Sequence, residues 1–162
     1  MDLFLVRHAI AEPRRPGLPD AARGLTPRGV RRFRKVVDRL AAMGLRFERI
    51  YHSPWRRAVE TAELLAPLCS GPLQSTPALA EPPSAVLFED LGGEQIALVG
   101  HEPFLGALAT LLVFGDEALG ARIVVKKGGV VWLRGEPARG GMCLRALLPP
   151  RALCSGGSGS KA

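Results

Sequence analysis

Four residues stand out for the chemistry their types allow: Arg7 and His8 side by side, Arg57, and His101. A phosphoryl dianion suits such a set. Arginine forks clamp its oxygens bidentately, a histidine N–H donates to another oxygen, and a neutral histidine nitrogen can attack phosphorus in line. Nearby cations lower the attacking imidazole's pKa and keep it neutral near pH 7. Metal ligation by His8 and His101 is disfavoured: a bound metal would want a carboxylate or thiolate beside the imidazoles, and the arginine pair would repel it.

For these side chains to meet, the chain between them must fold back on itself. Leu3 to Val6 is an unbroken apolar run, as expected of a strand buried on both faces, and it ends at Arg7-His8. Thr26-Pro27 reads as an N-cap and first helical residue, with Val30, Phe33, Val37 and Leu40 on one helical face and Gly44 as the stop. Arg49 to His52 predicts a second strand. Ser53-Pro54 then predicts another helix start, running through Trp55, Val59, Ala62, Leu65 and Leu68. Gly71 to Pro83 reads as a connection, Ser84 to Leu91 as a short helix, Gln95 to Val99 as a third buried strand, and Pro103 to Leu112 as an apolar helix. Ile123 to Val125, Val130 to Leu133 and Met142 to Leu147 read as successive strands with glycine turns.

Alternating strands and helices imply an open α/β sheet, whose ligands lie beyond the carboxyl ends of the strands. Arg7 and His8 end the first strand, His52 and Ser53 the second, and His101 the third. Arg57 lies in the first turn of the following helix, within reach of the same edge.

The 162 residues suffice for one well-buried domain, read as residues 1–150, with residues 151–162 as a Ser/Gly tail of flexible-linker composition. The net charge of +7 is unevenly spread: residues 1–57 carry 14 basic and 5 acidic side chains, residues 58–121 carry 9 acidic and no basic ones, and residues 122–162 carry 8 basic and 1 acidic. Such a balance asks for an anionic partner. Cys69, Cys143 and Cys154 are too widely spaced for a disulfide framework or zinc cluster, which fits a reducing compartment. Neither a signal peptide nor a membrane span is apparent, so a cytoplasmic location is expected.

Four blocks, LVRHAIAE at 5–12, LTPRG at 25–29, SPWRRAVETAE at 53–63 and LVGHEPFL at 98–105, together resemble the histidine phosphatase superfamily, in particular its small SixA-like phosphohistidine phosphatases. The resemblance implies a three-layer αβα sandwich with a mixed, mostly parallel central sheet, and catalysis without a cofactor or metal. It makes His8 the nucleophile, Arg7 and Arg57 the phosphoryl-binding arginines, and His101 a hydrogen-bond donor completing the pocket. Arg23 resembles an arginine that can line the pocket mouth. Alanine at position 9, where the superfamily's best-known form has glycine, fits the SixA-like branch and requires a backbone that alanine tolerates.

The general acid is less clear in the sequence. Relatives that cleave phosphate esters take a carboxylic acid from the connection between the second and third strands' blocks, and Glu81 lies there; Glu89, Asp90 and Glu94 are nearby, with surface charge as their ordinary explanation. Glu102 is either an orienter of His101 or a carboxylate favouring a helix start. His52 reads as structural, and Ser53 as a helix cap. An alkoxide leaves poorly without an acid, whereas imidazole leaves readily from a protonated phosphohistidine. A missing acid and a short chain with room for an open pocket therefore favour a phosphorylated protein over a small phosphoester as substrate. A basic nucleic-acid module built on the Arg-rich first helix is the competing class, but no nucleic-acid motif or interleaved aromatic residue accompanies that helix. The oligomeric state is not legible.

Overall fold

A computed structural model describes residues 1–84, 86–89 and 91–154 of the chain. Six strands form one sheet: β1 (Asp2–Arg7), β2 (Arg49–His52), β3 (Leu73–Ser75), β4 (Gln95–Gly100), β5 (Val130–Gly135) and β6 (Met142–Leu148), in the order β3-β2-β4-β1-β5-β6. The β3-β2-β4-β1 portion is parallel, and β5 and β6 are added antiparallel. The sheet is thus mixed, as expected. β1 and β4 are central, which is why their apolar runs show no polar alternation.

The period-2 geometry of the strands divides the core into two. Phe4, Val6, Ala97, Val99 and Val130 face one way and pack with α1 (Pro27–Ala42), α2 (Arg56–Leu65) and α5 (Pro150–Cys154). Leu3, Leu5, Ile96, Leu98, Val131 and Leu133 face the other, against α3 (Val86–Glu89) and α4 (Phe104–Phe114). Helices cover both faces of the sheet, completing three layers. Thr26 caps α1 by accepting from Gly29 N at 3.0 Å, a bond of the kind that contributes about 1 kcal/mol.

The structure departs from the sequence reading in four places. Leu73–Ser75, read as connection, is a short parallel edge strand beside β2; its side chains are exposed, so no hydrophobic pattern marks it. The helix expected from Ser53-Pro54 begins at Arg56, with Ser53 Oγ accepting from Trp55 N at 3.2 Å just before it. Ile123 to Val125 is not a strand. Its buried Ile123 and Val125 anchor a strap, and the Val125 peptide bonds to Glu102 and Arg7 side chains instead of a ladder. Finally, Pro150–Cys154 is helical and buries Leu153 against the core, so the packed fold continues into the segment read as tail. Asp90 and the tail from Ser155 onward lie outside the described residues.

Candidate active site

The site lies at the carboxyl edge of the parallel strands, where α/β sheets place their ligands. β1 and β4 run in register, pairing Arg7 with Gly100, so His8 and His101 emerge side by side. Their ring centroids are 5.1 Å apart. Both rings are buried, as is Arg57. The pocket has a volume of about 680 Å³, and Arg7, His8, Arg23, Arg57 and His101 all line it. The structure therefore brings together the four principal residues of the sequence reading, and Arg23 with them.

The turn carrying His8 is fixed by the LTPRG segment. Ile10 carbonyl oxygen accepts from Thr26 N at 2.9 Å and from Thr26 Oγ1 at 3.2 Å. Gly29 is glycine because a Cβ there would stand 2.1 Å from that same oxygen. On the other side, Ala9 N donates to Thr61 Oγ1 at 3.1 Å, and that hydroxyl donates to Arg57 carbonyl oxygen at 2.6 Å. Thr61 thus joins the His8 turn to the helix that carries Arg57. Ala9 itself is not in a positive-φ conformation, which explains how alanine is accommodated.

Hydrogen-bond partners determine the His8 tautomer. Nδ1 lies 2.7 Å from Ala9 carbonyl oxygen, which can only accept, so Nδ1 carries the proton. Nε2 receives the Arg57 Nε–H at 3.3 Å and so keeps its lone pair. Burial lowers the His8 pKa to about 3, with the neighbouring His101, Arg57 and Arg7 charges adding to that and the Ala9 bond opposing it. The imidazole is neutral at pH 7 and presents a nucleophilic nitrogen to the pocket.

His101 Nε2 lies 2.8 Å from the buried Ser53 Oγ. Ser53 Oγ also accepts from Trp55 N, and donating its hydroxyl proton to His101 Nε2 would place the imidazole proton on Nδ1. Nδ1 is buried without a partner, as is Arg7 Nε. Burial, then the Arg57 charge, lowers the His101 pKa to about 4. Trp55 packs between Arg57 and His101, with ring centroids 4.7 Å apart to His101 and the Arg57 guanidinium carbon 4.5 Å from its centre. Ser53 is not the helix cap read from sequence, since the cap position falls to Trp55; its hydroxyl bonds Trp55 N in the turn before the helix and orients the second histidine.

Asp20, which the sequence reading passed over, is the acidic partner of these arginines. Its Oδ2 accepts from Arg57 Nη2 at 2.9 Å and its carbonyl oxygen from Arg57 Nη1 at 2.6 Å. Oδ1 accepts from Arg14 Nε and Arg23 Nε, both at 2.9 Å. Arg23 also reaches the Glu12 carbonyl oxygen. Partial burial acts to raise the Asp20 pKa, but the bonds from Arg23, Arg14 and Arg57 outweigh it and hold the carboxyl at about 2. A short 3-10 helix (Asp20–Ala22) presents this carboxylate, in a loop whose polar composition gave no periodic signal.

Glu81 does not reach the pocket. Leu79 is buried and anchors the preceding 3-10 helix (Pro77–Ala80), and Glu81 follows, exposed, beside a separate small recess lined by Leu79, Leu87 and Leu105. Glu94 does not line the pocket either; it pairs with the N-terminus at 3.7 Å. The carboxylates that do line it are Glu12, Asp20 and Glu102. Glu102 accepts from Val125 N at 2.6 Å and from Gly106 N at 3.1 Å, so of its two sequence readings the helix-start role holds. His52 is structural, its Nδ1 3.0 Å from Ser53 carbonyl oxygen.

Residues 3–83 match the family model of the histidine phosphatase superfamily (branch 1). An uncharacterized protein of Picosynechococcus sp. is 38% identical over 147 residues, covering 86% of this chain and 88% of its own. Among solved structures, the protein histidine phosphatase SixA complexed with tungstate superposes with a TM-score of 0.78 at 21% identity, over 94% of this chain and 99% of that one. The alpha-ribazole phosphatase from Shigella flexneri gives 0.72 at 18% identity, over 93% and 97%. The phosphoserine phosphatase from Entamoeba histolytica gives 0.72 at 16% identity, over 94% and 98%. At these identities the structural likeness establishes a shared fold, the phosphoglycerate mutase-like α/β sandwich. The fold and the matched family define a phosphohydrolase. The chain belongs to branch 1 of the histidine phosphatase superfamily.

Proposed function

We propose that the protein removes the phosphoryl group from phosphohistidine on another protein, through a phosphoryl intermediate on His8 Nε2. The observation that carries this reading is the His8 Nε2 lone pair beside Arg57, in a pocket where Arg7 Nε and His101 Nδ1 are buried without partners among the described residues. Buried donors of this kind are satisfied when an anion arrives.

In the first step Nε2 attacks phosphorus, a new N–P bond forms, and the substrate's P–N bond breaks as neutral imidazole leaves with the proton its ring already carries. Arg7 and Arg57 hold the phosphoryl oxygens, and His101 Nδ1–H donates to a third. In the second step a water oxygen bonds to phosphorus, the Nε2–P bond breaks, and the water's protons leave with inorganic phosphate or the solvent. Neither step needs an enzymatic acid at the leaving group. That matches the pocket's carboxylates: Asp20 is held ionised at about 2 by arginines, Glu102 is engaged by two backbone amides, and Glu12 pairs with Arg15 at 3.5 Å.

A small phosphomonoester is the second reading, favoured by one observation: a reaction pocket of about 680 Å³ lies in the size range of small-ligand sites. Incubation with a phosphohistidine-bearing protein and with a panel of sugar and nucleoside phosphates separates the two. Turnover of the first at least about a hundredfold faster in kcat/KM is expected for a phosphohistidine enzyme lacking an acid. Fast ester turnover with none on phosphohistidine would overturn the proposal.

A further inference from the structure

Beside the reaction pocket lies a second, larger groove of about 870 Å³ that, Arg7 apart, takes no part in the chemistry at His8. Its cations come from separate parts of the chain: Arg32 from α1, Lys126 and Lys127 from the loop before β5, Arg151 from α5, and Arg7 from the end of β1. Ile10, Pro149 and Pro150 form its apolar floor, and no carboxylate lines it. The reaction pocket differs in this respect, since Asp20 and Glu102 offset its arginines. Arg7 and Lys127 line both cavities, so the two adjoin. Burial and the charges of Arg7, Arg23 and Arg57 pull the Lys127 pKa below its ordinary value, the mark of a cation held in a positive field.

We propose that this groove receives an acidic segment of the phosphoprotein substrate next to its phosphohistidine, which makes it a specificity surface; the inference rests on the phosphohistidine reading above. Charge selects the occupant's sign. Extent selects its class, because two adjoining cavities of about 680 and 870 Å³ exceed what one small phosphoester fills. The apolar floor beneath a cationic rim suits a polypeptide, whose Glu or Asp side chains alternate with apolar ones. A single-stranded nucleic acid would want aromatic platforms for its bases, and none lines the groove.

The test uses two synthetic phosphohistidine peptides that differ only in flanking residues, glutamate in one and glutamine in the other. The wild-type protein is expected to prefer the glutamate peptide by about tenfold in kcat/KM, with the preference fading as salt rises. Arg32→Glu/Lys126→Glu is expected to abolish or invert that preference while the glutamine peptide is turned over within about twofold of wild type; Arg32→Gln/Lys126→Gln guards against a folding defect from charge reversal. An unchanged preference in both variants overturns the proposal, as does an equal loss on both peptides in both variants. Stronger competition by single-stranded DNA than by polyglutamate of equal charge also overturns it, in favour of nucleic acid. Should wild type cleave neither peptide but cleave small esters, the phosphohistidine reading itself has failed.

Discussion

Arg57 Nε donates to His8 Nε2 at 3.3 Å, although the two residues lie forty-nine positions apart. The bond reaches the one ring nitrogen whose lone pair is available, because Ala9 carbonyl oxygen holds the other nitrogen's proton. A phosphoryl oxygen entering between them would meet the guanidinium as phosphorus meets the nucleophile.

His8→Ala is therefore expected to abolish acid-labile labelling of the protein by substrate phosphate and to reduce kcat by at least about 10⁴-fold. Arg57→Lys is expected to lower kcat/KM by roughly 10²-fold, since an ammonium cannot reproduce a planar fork. Labelling that persists in His8→Ala would assign the nucleophile elsewhere.

The depressed histidine pKa values, about 3 for His8 and about 4 for His101, have two consequences of defined sign. Activity should lose no nucleophile between pH 8 and 5, and the acid limb of kcat/KM should fall near pH 3 to 4; a limb centred at 6.5 would contradict the burial account. Stability behaves differently. Unfolded histidines bind protons below about 6.5 while the folded ones do not, so the unfolded state gains protons on acidification and stability falls from about pH 6.5 downward. Each histidine contributes a slope of up to about 1.4 kcal/mol per pH unit, which urea titrations of wild type and His101→Ala measure.

Asp20 binds the same Arg57 nitrogens a phosphoryl group would want. Asp20→Asn removes the charge that competes for them, and inorganic phosphate is expected to inhibit about tenfold more tightly. A proton-donor role predicts a different result: a collapse of kcat on esters with phosphate inhibition unchanged.

Thr61 holds Ala9 N and Arg57 carbonyl oxygen with one buried hydroxyl. Thr61→Val is expected to cost about 1–3 kcal/mol in stability, because both backbone groups lose their side-chain partner. It is also expected to lower kcat more than it raises KM, by loosening His8 against Arg57; Thr61→Ser, which restores the hydroxyl, should recover most of the loss.

Much of this was legible along the chain. The Leu3–Val6 run, the Thr26-Pro27 cap and the Gly100-His101 strand end place three of the four principal residues at one sheet edge by local rules alone. The acid was not legible in the same way. The resemblance directs attention to Glu81 in the connection before β4 for a catalytic carboxylate, yet the carboxylate gripping the arginines, Asp20, comes from the loop after β1. Local composition is uninformative there, because a loop's path is set by what it bonds to across the fold. Ser53 illustrates the same limit: its spacing signals a helix start, while its bond to His101 spans forty-eight positions.

By itself, then, the sequence determined the alternation of β1, α1, β2, α2, β4 and α4, the family blocks and the types of group at the sheet edge, since each follows from periodicity, capping and short-range motif. Tertiary structure decided the His8 tautomer, the engagement of Arg57 by Asp20, the displacement of Glu81 from the pocket and the cationic groove joining four segments. The physical reason is the same in each case. Hydrogen bonds, burial and charge depend on distances between atoms remote in the chain, and parallel pairing of β1 with β4 is what makes those distances short.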